Sequence, residues 1–236
     1  MTVYAFDMDG TLTPARRPME EDFARRFLPW LSTHRAYVVT GSDLPMVREQ
    51  APREVLEALE GIFCSMGNVL WQGGREVYRR DFEPPAPLLA TLERLRAATA
   101  YPHPLYPGYL EKRPGMLNFS TVGRECPYEE RLRYRDWDGE HGERRRIRQL
   151  LNAAFPDYDV SLGGDISVDI VPRGCGKGQV AARLHDAAAG EDIVFCGDRT
   201  FEGGNDHDLM LALQAYPRTR SVQVAGPGEV LELLGL

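Results

Sequence analysis

The chain has 236 residues, of which 43% are hydrophobic and 27% charged, so it is long enough for one or two globular domains with a buried core. The formal net charge of -7 at pH 7 disfavours a nucleic-acid-binding protein, because such proteins usually carry a basic excess. The four cysteines are widely spaced and form no Cys-x-x-Cys pair, which disfavours a zinc site and a disulfide scaffold.

Two further sequence features bear on the binding partners and the cellular location of the protein. The arginine-rich run from Glu143 to Arg148 follows acidic residues, so we interpret it as a solvated helix face and not as a binding patch. No stretch has the pattern of a signal peptide or the apolar length of a membrane span. We therefore expect a cytoplasmic protein with reduced thiols and with neither nucleic acid nor a membrane as partner.

The first eighty residues alternate between predicted strands and helices. The sequence predicts a strand at 2–7, a helix at 19–31, a strand within 36–43, helical turns at 46–60 that break near Pro52, and a strand with a hairpin at 61–74. Apolar strands separated by helices are typical of a parallel sheet that is covered on both faces.

From about residue 81 the pattern changes. The sequence predicts a proline-led helix at 84–100, a hairpin at 109–122, helices at 127–136 and 143–155, and a second hairpin at 159–172. Hairpins and helices in this order indicate a small α+β domain with an antiparallel sheet.

After Gly176 the first pattern returns. Helices are predicted at 177–188, 206–215 and 227–234, with apolar strands between them. The sequence therefore predicts two domains, a core made of residues 1–80 and 179–236 and an inserted domain of residues 81–178.

The first predicted strand runs into two aspartates, Asp7 and Asp9. They lie at its carboxyl end, where open α/β sheets bind ligands. Two carboxylates so close together suit Mg²⁺, which prefers oxygen ligands. One of them can attack a phosphorus atom while the other transfers a proton. The alternative interpretation is a pair of aspartates that cap the next helix.

Other strand ends complement the aspartate pair. Thr40 and Ser42 follow the second strand and offer hydroxyl groups to a phosphoryl oxygen. Lys177 supplies a positive charge, and "FCGDRTFEGGNDHD" places Asp198 and Asp206 on a glycine-rich loop. A nucleophile, hydroxyl groups, a lysine and a metal-binding acid at strand ends indicate one phosphoryl-transfer site, which helix capping does not explain.

These motifs resemble those of the haloacid dehalogenase superfamily, with a cap inserted between the second and third motifs. From end to end, the chain is similar to one family within it, the eukaryotic-type α-phosphomannomutases. The similarity is carried by "FDMDGTLTPARRP", "GSDLPMVREQ", "RPGMLNFSTVGRECPYEER", "SLGGDISVDIVPRGCGK" and "FCGDRTFEGGNDHD". The implied fold is α/β, with a Rossmann-like haloacid dehalogenase core whose parallel sheet has helices on both faces, and an inserted α+β cap.

The resemblance also implies residue roles. Asp7 is the nucleophile and Asp9 the acid/base, and Mg²⁺ binds the Asp7 carboxylate, the main-chain carbonyl of Asp9, and Asp198. The implied catalytic set is Asp7, Asp9, Thr40, Ser42 and Lys177. The implied phosphosugar-binding set is Arg16, Arg113, Arg124, Arg131, Ser167 and Asp169.

The chemistry of the phosphosugar-binding set fits that role. Arginine forks bind phosphate through two parallel hydrogen bonds. Ser167 and Asp169 alternate with apolar neighbours and therefore share one face of a strand, from which they can reach sugar hydroxyls. The alternative for any single arginine is a surface ion pair.

The activity implied by the resemblance is the interconversion of mannose 6-phosphate and mannose 1-phosphate, a step in GDP-mannose biosynthesis. It passes through an aspartyl phosphate, needs a hexose 1,6-bisphosphate as primer, and belongs to a homodimer formed through the cap. Two alternatives remain: a Mg²⁺-dependent sugar-phosphate phosphatase on the same fold, and an inactive phosphosugar-binding module.

One departure concerns a second cation. The family builds a further cation site partly on the aspartate of an Asp-Pro-Arg-Thr stretch, and this chain has Tyr216 at the matching position. We therefore expect little dependence on a second cation.

Overall fold

The structure is a computed structural model that describes residues 2–236. These residues form two sheets, one of seven strands and one of four. The strands are β1 Thr2–Phe6, β2 Arg35–Val39, β3 Gly61–Cys64, β4 Val69–Gln72, β5 Arg75–Arg79, β6 Leu110–Arg113, β7 Met116–Phe119, β8 Tyr158–Gly163, β9 Ser167–Pro172, β10 Asp192–Gly197 and β11 Thr219–Gln223.

Helices cover both sheets. The α-helices are α1 Glu21–Leu31, α2 Leu44–Gln50, α3 Arg53–Ala58, α4 Ala86–Ala97, α5 Tyr128–His141, α6 Glu143–Ala154, α7 Val180–Ala188, α8 His207–Leu213 and α9 Pro227–Leu234. The predicted helix at 46–60 is two helices, α2 and α3, and the break falls at Pro52 as expected.

The seven-stranded sheet has the order β11-β10-β1-β2-β3-β4-β5, and its first five strands are parallel. Alternate residues of the apolar strands point to opposite faces, so Phe6 and Val38 pack into one core, and Ala5 and Tyr37 into the other. Because β1 lies between β10 and β2, the chain reverses its direction of travel across the sheet there, and the carboxyl end of β1 opens into a crevice.

The four-stranded sheet is antiparallel and has the order β6-β7-β9-β8. One face carries apolar side chains such as Phe119 and Ile170, which pack with residues of α4 and α6. The other face carries Asn118, Ser167 and Asp169, which are buried although they are polar. This arrangement confirms the α/β core with an added α+β cap.

The polar face of the cap sheet lies over the carboxyl ends of the core strands, and direct contacts hold it there. The backbone amide of Leu162 donates to the carbonyl of Gly203 across 2.8 Å. The Arg113 guanidinium donates to the carbonyl of Gly41 across 2.7 Å. Asn68 of the core donates to the carbonyl of Gly115, at the tip of the β6–β7 hairpin.

The arginine-rich run differs in part from the sequence prediction. Arg145 and Arg146 are exposed as expected. Arg144 is instead buried, with its Nε 2.8 Å from Asp138 Oδ2 and its Nη1 2.9 Å from the carbonyl of Gly164. The prediction was wrong for Arg144 because the left-handed turn at Gly142 lets the Arg144 backbone amide and Nε both donate to the Asp138 carboxylate.

Among residues 2–236, no helix has both the length and the apolar character needed to cross a bilayer.

The helix α6 offers a matched test of the cap core. Leu151 is fully buried, whereas its neighbour Leu150 is 57% exposed. We expect Leu151→Ala to lower the free energy of unfolding by about 2–5 kcal/mol through lost burial and a residual cavity. Leu150→Ala should change it by less than about 0.5 kcal/mol. If urea unfolding showed the same decrease in the free energy of unfolding for both variants, it would contradict the packing of α6.

Candidate active site

A cleft lies between the core and the cap, at the carboxyl ends of β1, β2 and β10. Its empty space, open mouth included, is about 500 Å³. Every residue of the predicted catalytic, metal and phosphosugar-binding sets except Lys177 lines it, and Lys177 lies directly behind Asp7. The predicted members lining the cleft are Asp7, Asp9, Arg16, Thr40, Ser42, Arg113, Arg124, Arg131, Ser167, Asp169 and Asp198.

Asp7 is held from behind by a buried lysine. The Lys177 ammonium has no exposed surface and lies 2.5 Å from Asp7 Oδ1 and 2.6 Å from Asp206 Oδ1. Burial lowers the pKa of Lys177, but the two carboxylates outweigh burial and raise it above its usual range, so the lysine stays charged. Burial raises the pKa of Asp7, and Lys177 opposes that shift. The second oxygen of Asp7 is left facing the cleft.

The carboxylate of Asp9 accepts hydrogen bonds from three donors, which hold it in place. Its Oδ1 accepts from the backbone amide of Arg16 at 2.7 Å and from Gln50 Nε2 at 2.8 Å. Its Oδ2 accepts from Ser42 Oγ at 3.0 Å. Burial raises the pKa of Asp9, but the Arg16 charge and these hydrogen bonds outweigh burial and lower it. The carboxylate is thus ionised and fixed, as a proton acceptor must be.

A cluster of three carboxylates surrounds the nucleophile position. Oxygens of Asp7, Asp198 and Asp206 all lie within 4.8 Å of one another. Both oxygens of Asp206 already have donors, Lys177 on one and the backbone amide of Arg199 on the other. Asp198 Oδ1 is buried and has no hydrogen-bond partner among residues 2–236. Burial raises the pKa of Asp198 to about 7.

This donor set fits a hard divalent cation. The free oxygens belong to Asp7 and Asp198, and no nitrogen or sulfur ligand lies among the carboxylates of the cluster. A bound cation favours the ionised form of both carboxylates and so offsets the effect of their burial. The side chain of Asp9 is outside the cluster because its own three donors hold it, which leaves its main-chain carbonyl for the role that the resemblance implies.

The two hydroxyls after β2 have different tasks. Ser42 spends its only proton on Asp9, so its hydroxyl orients that carboxylate. Thr40 Oγ1 accepts from the backbone amide of Ser42 at 3.0 Å, which leaves its proton for another acceptor in the cleft. Thr40 is therefore the hydroxyl that can donate to a phosphoryl oxygen.

The cleft is also lined by a basic wall, by which we mean Arg16 from the loop after β1 and the cap residues Arg113, Arg124 and Arg131. Glu111 pairs with both Arg113 and Arg124. Arg113 Nε is buried and has no partner within the described residues. Burial lowers the pKa of Arg16, and the nearby charges of Arg113 and Arg131 lower it further. Asp9 acts on Arg16, and Glu111 pairs with Arg113 and Arg124, so the four arginines carry more positive charge than these two carboxylates neutralise.

Arg131 is the member of the wall that most clearly indicates an anionic ligand. Its residue exposure is only 8%, and it extends from the first turns of α5 into the cleft. Among residues 2–236 its guanidinium makes no hydrogen bond or ion pair, in contrast to those of Arg113 and Arg124. The guanidinium nitrogens of Arg131 are open to the cleft, so their donors are available to an anionic ligand that enters it.

Four supporting residues were not assigned from the sequence. Asp206 lies in the quoted "GGND" stretch and Asn118 in "GMLN", so both were within motifs and only their roles were missed. Gln50 ends the quoted "GSDLPMVREQ" stretch, so its role was likewise missed within a motif. Glu111 gave no signal, because a strand residue acquires its arginine partners only when they meet it in space.

The fold belongs to the haloacid dehalogenase class. The chain is similar to a haloacid dehalogenase-like hydrolase from Bacteroides thetaiotaomicron, with a TM-score of 0.58 and 13% identity, over 99% of this chain and 98% of that one. It is also similar to a trehalose-6-phosphate phosphatase related protein, with a TM-score of 0.56 and 16% identity, over 99% of this chain and 95% of that one. At these identities the likeness establishes the fold.

Sequence relatives narrow the class to one family. The model described as eukaryotic phosphomannomutase matches residues 31–234. The phosphomannomutase of Saccharomyces cerevisiae is 32% identical over 241 residues, which covers 99% of this chain and 92% of the relative. The chain therefore belongs to the eukaryotic phosphomannomutase family, which confirms the resemblance carried by its motifs.

Gly10 gives a test of the acidic cluster. Its φ is +86°, and an added Cβ would lie 2.6 Å from Asp198 Oδ2. We expect Gly10→Ala to displace that carboxylate and to weaken divalent-cation binding by about 10- to 100-fold. Gly74→Ala is the matched control, since its φ is +76° and nothing lies near its Cβ. Calorimetric titration showing equal cation affinity for both variants would count against Asp198 as a ligand.

Proposed function

We propose that the protein is a phosphomannomutase that interconverts mannose 6-phosphate and mannose 1-phosphate. The observation that carries this proposal is the unpaired Arg131 guanidinium, which lines the same cleft as Asp7. One end of the cleft offers a nucleophile, and the other offers a charge that only a second anionic group would satisfy. Membership of the family supports the same activity.

We assign the chemistry to the core and substrate binding to the cap, with the proposed boundaries at residues 1–80 and 179–236 for the core and 81–178 for the cap. In support, the seven-stranded sheet draws its strands from both core segments, and the four-stranded sheet lies within the inserted segment. The proposed substrate residues Ser167 and Asp169 lie on the cap strand β9, and Asp7 ends the core strand β1.

The proposed cofactor is Mg²⁺, held by the Asp7 carboxylate, the main-chain carbonyl of Asp9, and Asp198. When bound, it would supply charge neutralisation on the transferring phosphoryl group. The oxygen-only donor set and the unpartnered Asp198 Oδ1 support this assignment.

In the first half-reaction Asp7 carries the phosphoryl group. Asp9 takes the proton from the sugar hydroxyl, the hydroxyl oxygen forms a bond to phosphorus, and the bond between phosphorus and the Asp7 oxygen breaks. The products are a hexose 1,6-bisphosphate, a free Asp7 carboxylate and a protonated Asp9. Lys177 keeps Asp7 oriented throughout by holding its Oδ1, and Thr40 donates to the phosphoryl group.

In the second half-reaction the bisphosphate has turned end over end. The Asp7 carboxylate attacks phosphorus at the other end, the bond between phosphorus and the sugar oxygen breaks, and Asp9 returns its proton to that oxygen. The basic wall binds whichever phosphate is distal, so one cleft can serve both ends of the sugar. The cap excludes water while Asp7 is phosphorylated.

A sugar-phosphate phosphatase would use the same core groups, with water in place of the sugar hydroxyl. The basic wall favours the mutase, because a mutase must retain the bisphosphate after each transfer. An inactive binding module would need neither the fixed Asp9 nor the Lys177–Asp7 pair. We further propose a hexose 1,6-bisphosphate as primer, a cytoplasmic setting, a role in GDP-mannose biosynthesis, and a homodimer formed through the cap.

The proposal is tested with mannose 1-phosphate and Mg²⁺, with and without a hexose 1,6-bisphosphate. We expect mannose 6-phosphate to form only slowly without the primer and many times faster with it, while little free phosphate appears. Free phosphate and mannose as the main products under both conditions would favour the phosphatase. Binding without any turnover would favour the inactive module.

Arg131 gives a prediction for the distal phosphate. Its charge-assisted hydrogen bonds are worth about 1.5–3 kcal/mol, so Arg131→Ala should weaken hexose phosphate binding by about 10- to 100-fold. Acetyl phosphate has no distal phosphate and should phosphorylate Asp7 at nearly the unmodified rate. Arg135→Ala, in the same helix and paired with Asp136, is the control and should change neither. Unchanged hexose phosphate affinity in Arg131→Ala would contradict the proposed binding site.

Metal removal gives another prediction. Excess chelator should abolish phosphoryl transfer, and added Mg²⁺ alone should restore it, because the donor set offers only hard oxygen ligands. No second cation should be needed, since the Tyr216 ring stacks on His185 with centroids 4.4 Å apart and offers no carboxylate. Circular dichroism during chelation checks that the fold persists. Activity that survives chelation would argue against the metal assignment.

A further inference from the structure

Asn118 lies at the centre of the candidate substrate-binding residues of the cap. It is on β7, with 2% of its surface exposed, and it faces the cleft. Its side chain contacts three residues of the proposed phosphosugar-binding set, which come from two separate parts of the chain because two of them lie on β9. These contacts are with Ser167, Asp169 and Arg124.

We propose that Asn118 is a positioning residue that joins the sugar-binding and phosphate-binding parts of the cap into one unit. This inference rests on the proposed function of the cleft as a hexose phosphate site. Asn118 would act through its three partners, so that the distance between sugar hydroxyls and the distal phosphate is fixed before the ligand enters.

The hydrogen-bonding capacity of Asn118 is matched to this task. Its amide nitrogen has two protons, and it donates to Ser167 Oγ at 3.0 Å and to Asp169 Oδ1 at 2.7 Å. Its amide oxygen accepts from Arg124 Nη1 at 2.7 Å. Both amide protons are therefore used inside the protein, and no donor of Asn118 is left for a ligand.

The same accounting assigns a chemical role to Ser167. Its hydroxyl accepts from Asn118 and donates its only proton to the carbonyl of Gly163 at 3.1 Å. Ser167 can therefore offer a ligand only its remaining lone pair. Asp169 is likewise an acceptor, with Oδ2 left free by Asn118. This pair suits sugar hydroxyl protons and would repel phosphate oxygens.

Arg124 has the opposite role and is held just as firmly. Glu111 contacts its Nε, and Asn118 accepts from its Nη1, so the guanidinium is fixed at two of its three nitrogens. The Nη2 protons remain for an anion. Asn118 thus separates acceptors for the sugar from donors for the phosphate and fixes their spacing, which favours a hexose phosphate over inorganic phosphate.

The test compares the affinities of Asn118→Ala and the unmodified protein for mannose 1-phosphate and for inorganic phosphate, by calorimetric titration. We expect the affinity for mannose 1-phosphate to fall about tenfold or more, as charged hydrogen bonds lose their alignment. The affinity for inorganic phosphate, which has no sugar, should change by less than about threefold. Equal losses for both ligands would overturn the proposal.

A double-mutant cycle separates positioning from a structural role. In the Arg124→Ala or Asp169→Ala background, Asn118→Ala should cost much less than it does alone, because the partner that it positions is already absent. Asn152→Ala is the control in the cap: it removes an asparagine that binds the Val160 backbone outside the cleft, and mannose 1-phosphate affinity should stay unchanged. Additive losses, or an equal loss in Asn152→Ala, would contradict positioning.

The experiment measures ligand affinity and not turnover, so the role of Asn118 can fail or hold independently of the proposed mutase activity. A protein that binds mannose 1-phosphate but only hydrolyses it would refute the mutase and leave the role of Asn118 intact. Asn118→Asp is a second variant of nearly the same shape, in case Asn118→Ala fails to fold. It replaces the donor nitrogen by an acceptor facing Asp169, so the loss for mannose 1-phosphate should again exceed the loss for inorganic phosphate.

Discussion

Lys177 lies with no exposed surface between the carboxylates of Asp7 and Asp206, and the rest of the site is arranged around this buried contact. The lysine neutralises charge that burial would otherwise penalise, and it occupies one oxygen of each carboxylate. Asp7 therefore presents its other oxygen to the cleft, next to Asp198. The pair also links two distant parts of the chain, because Asp7 directly follows β1 and Lys177 lies at the end of the segment that carries the cap.

The cleft separates two kinds of charge. Acidic groups that suit a cation follow the core strands β1 and β10, and a basic wall that suits phosphate lines the same cleft, together with the acceptors Ser167 and Asp169 on β9. A hexose phosphate has groups that suit both parts of this lining, hydroxyls for the acceptors and phosphate for the wall. A second phosphate would find donors in the same cleft as Asp7, as the proposed mutase requires.

Much of this was predictable from the sequence, for reasons that the structure makes plain. Parallel strands bring their carboxyl ends to one edge, so Asp7, Thr40 and Asp198 had to converge once their strands were recognised. The period of two in β9 likewise set the faces of its residues. What sequence could not supply were partners made by the meeting of separate elements. Gln50 reaches Asp9 from the end of a helix, and Arg144 is buried where it meets Asp138 across the turn at Gly142.

The central claim is that Asp7 is the residue that carries the phosphoryl group between the two ends of the sugar. The most direct measurement incubates the protein with hexose 1,6-bisphosphate and Mg²⁺, quenches it with acid, and locates the phosphoryl group by peptide mass spectrometry. The account predicts an acid-stable, alkali-labile phosphoryl group on the peptide that contains Asp7, formed and lost fast enough to match turnover, and absent from Asp7→Asn. Turnover without this species, or a phosphoryl group on any other residue, would contradict it.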